Sequence, residues 1–382
     1  MPKLFSELET RSDYRARRAE ITQRNADVMR AGHGVLRGLS LTAVKFGISF
    51  TTRFLNQANA LVLLHTDGTL QVSTGATEMG QGVNARIAEA VARELGVKRE
   101  AVRLMPTSTD KNANTSPTAA SSGTDLNAAA AVLATRRIKA RLSALAVQLF
   151  PLPEEKWAKN AAGLGTQPEL LAKNLPLLND PDKGADWKTG VATYDGVEFV
   201  DGGVRMAKYP GRTIPIAVLA REAYLNRISL SEYSHYRFQN LDFNKLEGKG
   251  RAFLYFTQGT AVSEVGVDIE TAEVKVRRVD ILMDLGRPIN EALDRGQITG
   301  GFVQGQGWVT TEKLFYDAKG FLASHSPSTY KIPGVQDTPR DFRVHLLPNE
   351  ENVANYRGTK AVGEPPLLLA LSVWTAVQDA IR

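Results

Sequence analysis

Two strand-like runs, Ala60 to Thr66 and Thr69 to Ser73, flank the dipeptide Asp67-Gly68. An Asp-Gly pair accepts the positive φ values of a two-residue turn, so apolar runs on either side of it specify an antiparallel β-hairpin. A hairpin must be covered on at least one face, and the residues that follow supply the cover. Ile87, Val91 and Leu95 recur at helical spacing up to Gly96, a C-terminal stop. A third strand over Ala101 to Met105, a polar loop from Thr107 to Ser122 and an Ala-rich helix from about Asp125 to Leu149 complete the unit.

A similar order recurs later in the chain. Val262 to Ile269, a turn at Glu270-Thr271 and Val274 to Met283 form a second hairpin, followed by a helix candidate from Asn290 to Phe302 that leads into Gln304-Gly305-Gln306-Gly307. A last helix, Leu367 to Ile381, follows Gly363-Glu364-Pro365-Pro366. The expected fold class is α+β, two hairpin-plus-helix subdomains with small mixed sheets and helices on one face. Four segments are expected: a helical arm over 1–40, a first α+β subdomain over 41–150, a connecting region of loops and short helices over 151–250, and a second α+β subdomain over 251–382.

The composition removes several kinds of chemistry. The chain has no cysteine, which excludes disulfides, thiolate-bound zinc, iron–sulfur ligation by this chain and a cysteine nucleophile. Its five histidines are scattered without ligand spacing, so a metal used here arrives inside a cofactor. Lys and Arg number 47 against 41 Asp and Glu, a net charge of +6. The basic stretches Arg11 to Arg30 and Arg136 to Arg141 read as solvated helix faces, not as a nucleic-acid site. No apolar run approaches the ~18 residues of a membrane span, and the first residues lack the basic start and apolar core of a signal peptide. A cytoplasmic location is expected.

Four segments are candidates for chemistry. Gly75 to Gly82 lies between a strand and a helix, where glycines let a ligand approach the backbone and helix N-terminal amides favour an anion. Gln81 adds a two-way hydrogen bonder at its tip. A strand–helix turn of purely structural purpose has the same composition, and the segment matches neither nucleotide-binding glycine motif. Asn114 to Asp125 combines small side chains and hydroxyls with a helix start capped by Thr124 or Asp125, either a ligand cradle or a polar loop with a cap. At Gly363-Glu364-Pro365-Pro366, two prolines fix the backbone just after a carboxylate. Glu364 beside Val362, Leu367 and Leu368 is either a base of raised pKa or a capping glutamate. Lys45 to Thr51 reads as a strand, with Thr51 able to face a ligand.

Taken together, the segments resemble one family. Lys45 to Phe50, Phe54 to Ala58, Thr77 to Gly82, Asn114 to Ser121, Phe302 to Gly305, Pro327 to Pro333 and Lys360 to Leu367 occur in this order in the molybdenum hydroxylases, and the Phe46–Phe50 segment points to the xanthine dehydrogenase branch. The resemblance runs from about residue 4 to Arg382 and covers the second half of the family's molybdenum-binding part. It implies a molybdenum–molybdopterin cofactor held through the pterin dithiolene, with no side-chain metal ligand. Glu364 falls on the catalytic glutamate, which takes a proton from the metal's hydroxide so that the oxygen attacks a purine carbon. Ala120 falls on the residue whose backbone lies next to molybdenum; Gly80, Gln81, Ala119, Ser121 and Gln304 fall on cofactor-contacting segments. Phe50 matches an aromatic that packs on the purine substrate, and Thr51 a substrate-contacting threonine.

The resemblance also implies partners. The family's first molybdenum-binding half, its iron–sulfur clusters and its FAD belong to other chains or domains, and Gly75-Ala76 stands where the family often has two glycines. The expected function is hydroxylation of hypoxanthine and xanthine to urate in an assembly. The alternative is a non-catalytic fragment, or a cofactor-holding or interaction chain that keeps the fold without turnover. Neither a membrane nor a nucleic acid is an expected partner.

Overall fold

The charged opening residues form two helices, α1 (Pro2–Arg11) and α2 (Tyr14–Ala31), the second ended by Gly32 in the left-handed region. This computed structural model describes residues 1–153 and 196–382. After β1 (Val35–Ile48), the expected hairpin is present as β2 (Gln57–Leu64) and β3 (Leu70–Thr74). Asp67 Oδ1 accepts from the backbone N–H and the hydroxyl of Thr69 (2.9 and 2.7 Å), fixing the turn. The chain continues through α3 (Val83–Glu94), β4 (Val102–Leu104) and α4 (Gly123–Leu149). Next come β5 (Val197–Val200), β6 (Gly203–Met206), β7 (Thr213–Pro215), α5 (Ile216–Leu225) and β8 (Ser231–Arg237). The second hairpin, β9 (Tyr255–Asp268) and β10 (Val274–Asp284), precedes α6 (Glu291–Thr310), β11 (Asp341–Leu346), α7 (Pro365–Leu369) and α8 (Leu371–Ile381).

These elements form two units, residues 1–48 with 253–382 and residues 49–252. The first holds a sheet of order β1-β9-β10-β11; the second holds a sheet of order β8-β2-β3-β4 and a small sheet β5-β6-β7. The two larger sheets share one plan. Each has an antiparallel hairpin at its centre, an antiparallel strand on one side and a parallel strand on the other. A parallel neighbour requires a crossover, and α3 and α6 provide it. The α+β expectation and the architectural recurrence are both met. Among the described residues no helix is long and apolar enough to cross a membrane.

In the first unit Val44, Val265, Ile281 and Met283 pack with Phe302 of α6 and Val373 of α8. Helix α2 covers the outer edge of β1: the Asn25 amide exchanges two hydrogen bonds with the backbone of Arg37 (2.7 and 2.8 Å). At Leu39 the Arg18 guanidinium donates to the carbonyl, and Asp379 Oδ2 accepts the N–H at 2.9 Å. Those backbone groups of the edge strand are closed to pairing with another chain. Arg17 reaches Glu264 (2.7 Å) on β9 and the fully buried Asp280 (3.2 Å) on β10. In the second unit Ala58, Ala60 and Val62 are buried on β2, and Ala130, Leu133 and Ile138 on α4, which packs on β2 and β8.

The division differs from the four expected segments. Of residues 1–40, 2–31 form the two helices, whereas the chain from Val35 belongs to β1, which pairs with β9 from Val35↔Asp268 to Ile48↔Tyr255. Of the expected connecting region 151–250, residues 154–195 lie outside those described. The remainder carries β5–β8 and α5, mostly in ordered strands and a helix rather than loops. Pairings between strands so distant in sequence leave no local pattern to read. Gln304-Gly305-Gln306-Gly307 lies within α6 rather than after a helix. A Cβ at Gly305 would stand 2.3 Å from the Leu367 carbonyl oxygen, so the glycine admits close helix packing instead of ending the helix. The last helix is divided at Ala370 into α7 and α8.

Candidate functional site

The strand–helix turn after β3 is organised by Glu78. Its Oε1 accepts from the N–H groups of Gly80 (3.0 Å) and Gly82 (2.9 Å), and its Oε2 from that of Asn84 (3.0 Å). Partial burial is the largest single influence on this carboxyl and raises its pKa. The three backbone donors, with Arg86 nearby, outweigh it and hold the group below its ordinary value of 4.5. Gln81 closes the same turn, its Oε1 accepting from Met79 N (2.6 Å) and its Nε2 donating to the Thr77 carbonyl (2.9 Å). Gly80 has φ 98, and a Cβ there would meet nothing within 4 Å. The turn thus presents bare backbone to open space.

The polar loop over 107–122 is docked onto this turn. Thr107 Oγ1 donates to the Ala76 carbonyl (2.7 Å), and Thr118 Oγ1 accepts from Thr77 N (2.9 Å). A Cβ at Gly75 would lie 1.6 Å from Thr115 Oγ1, so the glycine allows the contact, while its neighbour Ala76 is wholly buried. Ala120 and Ser121 follow with φ 52 and 55. Two successive non-glycine residues in the left-handed region store strain, of order 1–3 kcal/mol each. Helix α4 starts at Gly123 with Ser122 in the capping position, not Thr124 or Asp125. The Ser122 hydroxyl donates back to the Ala119 carbonyl (3.1 Å), and Asp125 is buried in the first turn. Gly80, Gln81, Ala119, Ala120 and Ser121 are thereby brought together.

β1 ends at Ile48, so Lys45 to Thr51 is not one strand. The Asn56 side chain takes both backbone groups of Phe50, accepting from its N–H and donating to its carbonyl (2.8 Å each). Those groups are then closed to strand pairing. Phe50 is half-buried and Thr51 exposed.

Gln304 and Glu364 lie in the other unit. Glu364 precedes α7, with Pro365 and Pro366 buried behind it. The carboxylate makes no capping bond and the residue is exposed, so neither the capping reading nor enclosure by Val362, Leu367 and Leu368 describes it. Its approach is clamped upstream. Tyr255 Oη accepts from Ala361 N (2.8 Å), Thr257 Oγ1 donates to the Ala361 carbonyl (2.7 Å), and Lys360 Nζ pairs with Asp284 (2.5 Å). Gln304 is exposed on α6, the helix that Gly301 and Gly305 bring against Pro366 and Leu367. Sequence reasoning missed Asn56, Glu78, Tyr255, Thr257 and Asp284 as supporting residues. Asn56 and Glu78 lie inside resembling motifs, which was the available signal. Among the described residues, no group of three His, Asp or Glu side chains is placed to hold a metal ion.

Comparison with known proteins gives this arrangement a family. The family model described as the molybdopterin cofactor-binding domain matches residues 7–169 and 185–339. Xanthine dehydrogenase/oxidase of Felis catus is 36% identical over 381 residues, which is 100% of this chain and 24% of that protein. Xanthine dehydrogenase of Oryza sativa subsp. japonica is 36% identical over 352 residues, 90% of this chain and 21% of the relative. The chain therefore spans about a quarter of the length of the curated relatives it matches. A solved Cu,Mo-CO dehydrogenase superposes with a TM-score of 0.76 at 19% identity, over 100% of this chain and 42% of that one, a likeness of fold. The chain belongs to the molybdopterin cofactor-binding domain family.

Proposed function

We propose that the chain is the second molybdenum-binding portion of a xanthine dehydrogenase-type hydroxylase, converting hypoxanthine and xanthine to urate once assembled with the first molybdenum-binding half and with domains carrying iron–sulfur clusters and FAD. The observation that carries this reading is the 36% identity along the full chain to a named xanthine dehydrogenase/oxidase. The residues present fit the cofactor. Gly80 offers backbone beside open space, and the left-handed pair Ala120–Ser121 carries side chains too small to keep a planar group from the main chain.

When bound, molybdopterin supplies the metal that activates water-derived oxygen and takes up the electrons removed from the purine. Gly80, Gln81, Ala119, Ala120 and Ser121 would hold and orient it, the Ala120 backbone being the part the resemblance assigns to the metal, and the resemblance implies a cofactor contact for Gln304 as well. Gln81 does so mainly by shaping the turn, since its amide already bonds Met79 and Thr77. Phe50, fixed through Asn56, packs on the purine ring, and Thr51 contacts it. Glu364 is the general base, presented on a clamped segment and not engaged as a helix cap.

The test is the full chain co-produced with the missing half in a molybdenum-replete host. Molybdenum, pterin and urate formation are measured for wild type and Glu364→Gln. The variant is expected to keep its cofactor and lose ~10²–10⁴-fold in turnover, the range for removal of a general base. Near-normal turnover removes Glu364 from its role. Cofactor bound by the wild type without turnover establishes the cofactor-holding alternative.

A further inference from the structure

We infer that Asn59 is a positioning residue that sets the strained cofactor loop from within the sheet, a role that rests on the cofactor reading above. Asn59 lies on β2 between the buried Ala58 and Ala60 and is itself only 2% exposed. Its Nδ2 donates to the carbonyl of Ala113, at the entrance to the loop segment that ends in Ala120 and Ser121. Its Oδ1 is buried with no partner among the described residues, and so are both side-chain heteroatoms of Asn112, the next residue upstream of that carbonyl. A buried amide with an unanswered oxygen lowers stability relative to an apolar side chain of similar size. What Asn59 contributes is therefore the bond from its Nδ2.

That bond falls where the loop needs a fixed point. Asn114 (φ 48), Ala120 (φ 52) and Ser121 (φ 55) are all non-glycine residues in the left-handed region. Such conformations persist where the surroundings determine them more strongly than local preference does. The Thr118–Thr77 bond and the Thr115–Gly75 contact hold the middle of the segment, and the Ser122–Ala119 bond holds its exit. Asn59 holds the entrance. Three residues earlier, Asn56 fixes Phe50. One short stretch of chain thus orders both the proposed purine-stacking ring and the proposed cofactor cradle.

The experiment uses the full chain, wild type and with Asn59→Leu or Asn59→Ala, read by amide hydrogen exchange, thermal midpoint and molybdenum content after co-production with the missing half. Leucine removes the amide at similar volume, and alanine removes it without adding bulk or charge. Both variants are expected to speed exchange over 113–122 roughly tenfold, as loss of one restraining hydrogen bond does. Exchange in β2 and β3 should be unchanged, molybdenum content should fall, and the midpoint of Asn59→Leu should be no lower than that of wild type. Should Asn59→Leu fail to fold, Asn59→Ala decides on loop exchange and molybdenum content. Unchanged loop exchange with full molybdenum in both variants overturns the role. So does a lowered midpoint with exchange faster throughout β2 and β8, the mark of a structural residue only. A wild type that holds no molybdenum, with the loop still loosened in both variants, removes the cofactor reading and supports the positioning of the loop.

Discussion

The phenolic oxygen of Tyr255 accepts the backbone N–H of Ala361 at 2.8 Å, tying the segment before Glu364 to the first residue of β9. Thr257, two residues on and on the same face of the strand, donates to the Ala361 carbonyl at 2.7 Å. Both backbone polar groups of Ala361 are answered by side chains of a sheet strand. Tyr255→Phe leaves a buried N–H unanswered, which destabilises by roughly 1–3 kcal/mol. Urea unfolding should show that loss in the first unit. In the assembled enzyme turnover should fall more than molybdenum content, because the clamp places Glu364 and touches no cofactor segment.

Lys360 and Asp284 form a mostly shielded pair at 2.5 Å, with Asn349 Nδ2 donating to the same carboxylate oxygen at 2.9 Å. Lys360→Met strands a buried charge, and breaking such a pair from one side destabilises by about 3–5 kcal/mol. Lys360→Met with Asp284→Asn should recover most of that. A double-mutant cycle by chemical denaturation measures it, and additive effects would show that the pair does not couple.

Glu78 predicts a pH dependence. Its folded pKa lies below the ordinary 4.5, so its stabilisation is fully present above pH 4.5 and is lost as pH falls through the folded value. Glu78→Gln should abolish that increment and make the turn over 78–84 exchange its amides faster at neutral pH. Wild type should approach the variant only in acid. Parallel stability–pH curves for the two proteins would contradict the assignment.

Ala120 predicts different cofactor contents for two substitutions. Ala120→Gly relieves a left-handed alanine, offset in part by greater freedom of the unfolded chain, so stability should change by less than about 1 kcal/mol. Molybdenum content should persist. Ala120→Leu places a bulky side chain on the cradle, and molybdenum should be lost with the thermal midpoint little changed. Full metal loading of the leucine variant would make the loop ordinary structure.

The hairpins, the crossover helix α3 and the long helix α4 were legible because each is dictated by neighbours in sequence: Asp67-Gly68 for the turn, Ile87 and Val91 for the buried face of α3. The supporting residues were not. Asn56, Glu78 and Tyr255 act through side-chain bonds to backbone, and asparagine, glutamate and tyrosine at those positions are compatible with many folds. The glutamate at 364 was visible from its two prolines, whereas its exposure was not, since burial depends on which elements surround it.

By itself the sequence determined the local conformations and the order of chemically distinctive segments, because short-range sterics and periodicity act within a few residues. Only the tertiary structure decided that β1 joins β9, that Gly305 serves close helix packing and not a turn, and that Asn59 reaches Ala113. Those outcomes come from the closure of long loops and from the competition of buried polar groups for partners, free energies that belong to the whole chain and to no segment of it.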